Sequence, residues 1–266
     1  VQKKKIKIIK IPSSQGGLGK ADGSELAPDR IIEQTKDLFV SEDGTIPKLE
    51  IDEVKIIESN IEETNKSIYE KAKQVLKEKP IFLGGDHSIT YPLVKAFSET
   101  FENPGIIIFD AHPDAENDFN PPTQEDLLPA IINQNLIKKE NIILVGTRNW
   151  HQNEIEFLKE HNIKYFHMKE IAEKGISTTA ESIISIAKNF NALYISIDID
   201  VLDPAFAPGT GYNEPGGLTS RQLLTLLKKL KTLNNIKAYD IMEINPKKDI
   251  NNMTSKMGAK LIIELI

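Results

Sequence analysis

Apolar positions in this chain follow two alternating rhythms. Short runs rich in Ile, Val, Leu and Phe, bounded by Gly, Pro, Asn or Asp, predict strands at 6–11, 48–54, 81–83, 105–109, 141–145, 163–166, 193–199 and 236–241. Between them the apolar residues recur at three- and four-residue steps. Residues 61–79 place Ile61, Ile68, Ala72, Val75 and Leu76 on one helical face, and a helix over 220–233 opens with Thr219 and Gln222 spaced as a capping box. Pro92 is expected in the first turn of a helix after Ser88, where its missing N–H does little harm. This alternation predicts an α/β fold of three layers, a mostly parallel sheet with helices on both faces.

A chain of 266 residues can bury one sizeable core, and no repeat, low-complexity tract or linker divides it, so residues 1–266 are expected to form a single domain. The net charge is −6, from 33 Lys and Arg against 39 Asp and Glu. Because the basic residues are scattered, there is no electrostatic footprint for nucleic acid or an anionic membrane, and the acidic balance mildly favours a cationic substrate. The absence of cysteine excludes disulfides, Cys-ligated zinc and thiol nucleophiles. Lysines interrupt every apolar patch of residues 1–12, and no apolar run reaches the roughly 18 residues of a membrane span. A soluble, cytoplasmic protein is the expectation.

Chemistry concentrates at three places, each at the end of a predicted strand: Gly84-Gly85-Asp86-His87-Ser88, Asp110-Ala111-His112-Pro113-Asp114 and Ser196-Ile197-Asp198-Ile199-Asp200. A further acid, Glu243, follows the last strand. Open α/β sheets bind ligands at the carboxyl ends of their strands. Convergence of these groups requires strands three, four, seven and eight to be neighbours near the sheet centre. Carboxylates with a minority of imidazoles suit hard or borderline divalent metals such as Mn²⁺. Asp110, His112 and Asp114 share a loop, whereas Asp198 and Asp200 are expected on one strand face through the two-residue repeat. Two ions roughly 3.5–4 Å apart can hold and activate a hydroxide as nucleophile.

These motifs, with Asp203-Pro204-Ala205-Phe206-Ala207-Pro208-Gly209-Thr210-Gly211 and Pro215-Gly216-Gly217-Leu218, resemble the ureohydrolase family of arginases and agmatinases over nearly the whole chain. The resemblance implies an eight-stranded sheet in the order 2-1-3-8-7-4-5-6. It also implies a binuclear Mn²⁺ centre that cleaves guanidinium groups to urea and an amine, and a homo-oligomer, trimer or hexamer. By motif position, His87 and Asp114 would bind one ion and His112 and Asp200 the other, with Asp110 and Asp198 bridging. Glu243 would pair with the guanidinium, and Asp114 would also carry a proton to the departing amine.

Two departures from the family pattern bear on substrate. No histidine falls in 118–126, where the family presents an entrance imidazole; Gln124 or Asp126 takes that place. The acidic pair of arginases after strand five is replaced by Asn149 and His151, and His151 is a candidate substrate contact. Together with the 211–217 segment, these favour a small cationic guanidino substrate such as agmatine, in polyamine metabolism, over arginine. Competing readings are a formimino-type amidine hydrolase, a binuclear phosphoesterase and a family member without turnover. Asp86 and Asp203 are expected to fix loops, His161 to cap a helix, His167 to be structural, and 16–19 to be a flexible loop.

Overall fold

The eight expected strands form one sheet in a computed structural model that describes residues 3–265. They are β1 (Lys3–Lys10), β2 (Ile46–Glu53), β3 (Ile81–Leu83), β4 (Pro104–Phe109), β5 (Ile142–Val145), β6 (Lys164–Phe166), β7 (Ala192–Asp198) and β8 (Ile236–Met242). Their spatial order is β2-β1-β3-β8-β7-β4-β5-β6, and every neighbouring pair is parallel. Strands β3, β8, β7 and β4 are therefore adjacent, as the convergence of the acidic motifs requires.

Nine α-helices cover the sheet among the described residues: α1 (Ala27–Gln34), α2 (Ile61–Val75), α3 (Thr90–Thr100), α4 (Leu127–Asn133), α5 (Gln152–Glu160), α6 (Met168–Lys174), α7 (Ile176–Ala187), α8 (Ser220–Leu230) and α9 (Met253–Glu264). Alternate strand residues enter opposite cores. Ile107, Phe109, Ile195 and Ile241 pack with Ile31, Ile183, Leu227 and Leu261 of α1, α7, α8 and α9. Ile106, Ile108, Tyr194 and Met242 face Ile68, Phe97, Ile131 and Leu158 of α2 to α5. All seven residues of β7 are buried, as expected for a strand covered on both sides. The expected cap of α8 forms, with Gln222 N–H donating to Thr219 Oγ1 and Thr219 N–H to Gln222 Oε1.

Two local expectations change. Strand β1 starts at Lys3 rather than Ile6, because full-length pairing with β2 in the register Lys3↔Ile46 carries the lysines into the ladder. Strand β7 ends at Asp198, so Asp200 does not share its strand face; Ile199–Val201 is a 3₁₀ turn in which Asp198 Oδ1 accepts from Asp200 N–H at 2.9 Å. No described helix is long and apolar enough to cross a membrane.

Candidate metal centre

Convergence begins with backbone placement. Gly85 passes so close to Ser13 that a Cβ there would lie 1.8 Å from the Ser13 carbonyl oxygen. Asp86 then holds the turn, accepting from Ser88 N–H at 2.9 Å and from Gly16 N–H at 3.1 Å. Gly16 in turn sits where a Cβ would meet Ser88 Oγ at 2.1 Å, and its carbonyl accepts from Gln124 N–H. The segment expected to be a free loop is thus packed beneath the site through Gly16. Asp114 and Glu243 both adopt left-handed backbone, φ 52 and 63, a conformation unusual for these residues and maintained by surrounding contacts. Glu243 N–H donates to Gly85 O, and its carboxylate accepts from His87 N–H, both at 2.7 Å.

The six candidate ligands meet at the ends of β3, β4 and β7. His87 Nδ1 lies 2.7 Å from Asp114 Oδ2, 3.1 Å from Asp110 Oδ2 and 3.5 Å from Asp198 Oδ2. His112 Nδ1 lies 3.1 Å from Asp200 Oδ2 and 3.5 Å from Asp110 Oδ1. Asp110 thus stands between two imidazole-centred groups, with one oxygen toward each. The buried atoms His87 Nδ1, Asp110 Oδ2 and Asp114 Oδ2 lack a hydrogen-bond partner despite these short separations. Such an arrangement of buried, orphaned lone pairs fits cation coordination.

Behind His87 its orientation is decided by a buried chain. Asp240, fully buried, accepts from Thr90 Oγ1, Tyr194 OH and Ser196 Oγ at 2.9, 2.9 and 2.7 Å. Ser196 gives its only hydrogen to Asp240, so toward His87 Nε2 at 3.0 Å it must accept. His87 therefore carries a hydrogen on Nε2, leaving Nδ1 free to act as a ligand.

Electrostatics point the same way. Burial, then the Asp110 charge, raises Asp114 from its ordinary 3.8 to about 7. Burial together with the Asp200 and Asp110 charges pushes Asp198 well above the carboxylate range. Burial opposes a proton on His87, but Asp110 and Asp114 outweigh it and raise that group well above 6.5. His112 is raised likewise by Asp200 and Asp110, against its burial. Without a cation the cluster retains protons; two divalent ions could replace them.

Two loops wall the cavity above, which has a volume of about 180 Å³. The excursion after β7 closes at its neck through the Leu202–Leu218 bridge, with Asp203 accepting from Ala205, Gly216 and Gly217 N–H. This sets Tyr212 edge-on to His112, with ring centroids 5.3 Å apart, and Glu214 Oε1 3.6 Å from His112 Nε2. Arg148 braces the base, donating to the carbonyls of Asp200, Leu202 and Glu214. The loop after β4 folds back, Glu116 N–H donating to Glu125 O, and meets the other loop where Tyr212 OH donates to Glu125 Oε1.

The entrance position belongs to Gln124, which lines the cavity; Asp126 is fully buried and accepts from Asn117 and Thr123 N–H and Thr123 Oγ1. His151 reaches the rim with its side chain 76% exposed. His161 ends α5 against Phe157, while His167 Nδ1 caps α6 by accepting from Glu170 N–H. Sequence reasoning did not single out Glu116, Glu125, Glu154, Tyr212 or Glu214 as wall residues. The run of acids in 114–126 and the Gly-Pro-rich excursion hinted at Glu116, Glu125, Tyr212 and Glu214, whereas nothing in the linear chain pointed to Glu154 on α5.

Comparisons with known proteins agree with this architecture. A family model described as the arginase family matches residues 4–266. An arginase of Staphylococcus aureus (strain MRSA252) is 34% identical, over 98% of this chain and 96% of its own length. A formimidoylglutamase structure from Bacillus subtilis superimposes with TM-score 0.91 at 27% identity, covering 100% of this chain and 86% of that one. An arginase structure from Bacillus subtilis gives 0.88 at 26% identity, covering 98% of each chain.

Proposed function

This chain belongs to the arginase family, and from that premise we propose that it hydrolyses the guanidinium end of a small cation without a carboxylate, such as agmatine, to urea and an amine. One observation carries the substrate preference. Beyond the ion-holding aspartates and Glu243, four further carboxylates, Glu116, Glu125, Glu154 and Glu214, line the cavity, and no lysine or arginine is among the lining residues. Arginine or formiminoglutamate would have to place a carboxylate against that wall, whereas a second cationic nitrogen is attracted to it.

The residues present fit two divalent ions, for which Mn²⁺ is the candidate. His87 and Asp114 would hold one, His112 and Asp200 the other, with Asp110 and Asp198 shared. When bound, the pair supplies activation of water at neutral pH and positive charge that offsets the four aspartates. The remaining work falls to the chain. Glu243, anchored through its contact with His87 N–H, accepts hydrogen bonds from the guanidinium and orients its carbon above the cluster. Asp114, beside the position of the attacking water, takes a proton from it and returns it to the leaving amine. Gln124 cannot relay protons as an imidazole could, so transfer to bulk solvent passes through water.

In this reading residues 1–266 act as a single catalytic domain, within a trimer or hexamer that light scattering can test. The decisive experiment is product analysis with agmatine, arginine, 4-guanidinobutyrate and formiminoglutamate in protein loaded with Mn²⁺ and, separately, with Co²⁺, Ni²⁺ and Zn²⁺. Urea from agmatine in preference to the carboxylated compounds is expected. Formamide or ammonia from formiminoglutamate would move the assignment to amidine hydrolysis, and urea from none of the guanidines would refute it.

A further inference from the structure

Arg148 is a half-buried cation, and every hydrogen bond its side chain makes goes to a main-chain carbonyl. Nη2 reaches Asp200 O at 2.7 Å and Leu202 O at 3.2 Å, and Nη1 reaches Val201 O at 3.4 Å, so the guanidinium closes the 3₁₀ turn that carries Asp200. Nε and Nη2 also hold Glu214 O, at 3.2 and 2.7 Å, near the tip of the excursion after β7. A planar fork of donors suits such a set of acceptors, which a single ammonium cannot span.

The base beneath this fork is fixed. Arg148 and Asn149 N–H both donate to Ala111 O, at 2.8 and 3.1 Å, and a Cβ on Gly146 would lie 2.4 Å from Val201 Cγ2. The tip is held less firmly. Its other fastenings, the Asn149 amide to Glu214 Oε1 and Tyr212 OH to Glu125 Oε1, are made by side chains that solvent reaches. A closed circuit results: Glu214 Oε1 lies 3.6 Å from His112 Nε2, His112 Nδ1 lies 3.1 Å from Asp200 Oδ2, and Arg148 joins Asp200 O to Glu214 O. Asp110 and Asp200 offer carboxylate oxygens within 4.8 Å of each other, so like charges push on Asp200 until a cation lies between them.

Resting on the two-ion hydrolytic reading above, we infer that Arg148 is a positioning residue that couples filling of the His112–Asp200 site to seating of the Tyr212–Glu214 wall. A cation at that site fixes Asp200, and through Arg148 the same restraint reaches Glu214 O. Linkage makes the effect reciprocal: a substrate that seats the wall strengthens that ion's binding by the factor with which the ion strengthens substrate binding. The ion at His87 has no such connection, because its ligands make no contact with the guanidinium or the excursion tip.

The test is hydrogen exchange at 211–214 with and without Mn²⁺, in wild type, Arg148→Met and Arg148→Lys, with calorimetry of each ion. His87→Ala and His112→Ala, which leave one intact site each, tell the two ions apart. Filling the His112 site should slow exchange in wild type by about fivefold or more, the lower range of typical coupling, and filling the His87 site should hardly change it. Arg148→Met should exchange fast at every loading. It should bind the ion at His112 about 10–100-fold more weakly, keep the ion at His87 within about threefold, and raise KM for agmatine more than it lowers kcat. Arg148→Lys, with the charge but not the fork, should recover part of each effect. Should Arg148→Met fail to fold, the wild-type and Arg148→Lys arms decide alone. Exchange indifferent to the His112 site in wild type, or an Arg148→Met protein that keeps either the Mn²⁺-dependent protection or the affinity at His112, would overturn the coupling while urea release leaves the hydrolytic reading standing. Protection that requires both Mn²⁺ and Arg148, with no urea from any guanidine, would reject the hydrolytic reading and keep the coupling.

Discussion

Ser196→Ala isolates the buried chain that presents His87. In the native protein Ser196 Oγ donates to Asp240 at 2.7 Å and accepts from His87 Nε2 at 3.0 Å, and Ser196 is fully buried. Alanine removes the acceptor without adding volume, so the His87 N–H is left without a partner at a cost of about 1–3 kcal/mol. The imidazole is then free to place its hydrogen on Nδ1, which blocks coordination. Loss of a ligand's hydrogen-bonded support typically weakens metal binding by roughly 10–100-fold, or about 1.4–2.7 kcal/mol. Only the ion at His87 should feel this. His112 makes no contact with Ser196, and its ion should keep its affinity within about threefold. Calorimetric titration of chelator-stripped protein with Mn²⁺, with electron paramagnetic resonance to detect spin coupling of the filled pair, resolves the two events. Equal weakening of both ions, or undiminished affinity at each, would refute the assignment of Ser196 as the acceptor that selects the His87 tautomer.

Other outcomes follow from the same geometry. Asp114 binds a proton in the metal-free fold up to about pH 7 but when unfolded only to about 3.8. The native state therefore holds more protons between those limits, and stability falls as pH rises through them, by up to roughly 4 kcal/mol. Denaturant unfolding in the presence of chelator should show a less stable protein at pH 8 than at pH 5, and Mn²⁺ should remove most of the difference; a metal-free protein more stable at pH 8 would contradict it. Gly85→Ala brings a methyl group against backbone rather than a flexible side chain, so it should destabilise by about 1–3 kcal/mol and displace His87, seen as a lower melting temperature and a lost Mn²⁺ equivalent. Glu243→Gln keeps an acceptor for His87 N–H but removes the charge that pairs with the guanidinium. Urea release should fall by at least about a hundredfold in kcat/KM with Mn²⁺ stoichiometry retained.

How much was legible in the linear chain follows physical range. Strands β3, β4, β5 and β7 could be read because a strand covered on both faces needs a nearly continuous apolar run, and such runs end abruptly where polar side chains can reach the crevice. His87, Asp110, His112, Asp114, Asp198 and Glu243 lie at or within a few residues of those ends, so their convergence follows once β3, β8, β7 and β4 are adjacent. Asp200 illustrates the limit. Its identity as a candidate was visible, but its direction depends on a turn stabilised by Asp198, which the period-two pattern cannot distinguish from one more strand residue.

The cavity wall required the tertiary structure. Gln124 and Asp126 are two residues apart and equally polar, yet one faces the cavity and the other is buried within its own loop. The difference arises from Gly16, more than a hundred residues earlier, whose carbonyl anchors Gln124 N–H. Glu214 arrives by a similar route, through a loop closed by Asp203 and braced by Arg148. Asp240 reads as an anomalous charge in an apolar strand until Thr90, Tyr194 and Ser196 supply its donors from other elements. The linear pattern by itself determined the strands and the candidate ligands at their ends, since burial periodicity is local; the strand order rested on the family resemblance and on the need for those ends to converge. Which loop side chains face the substrate was decided only by folding, because irregular segments have no period and take their direction from hydrogen bonds to distant backbone.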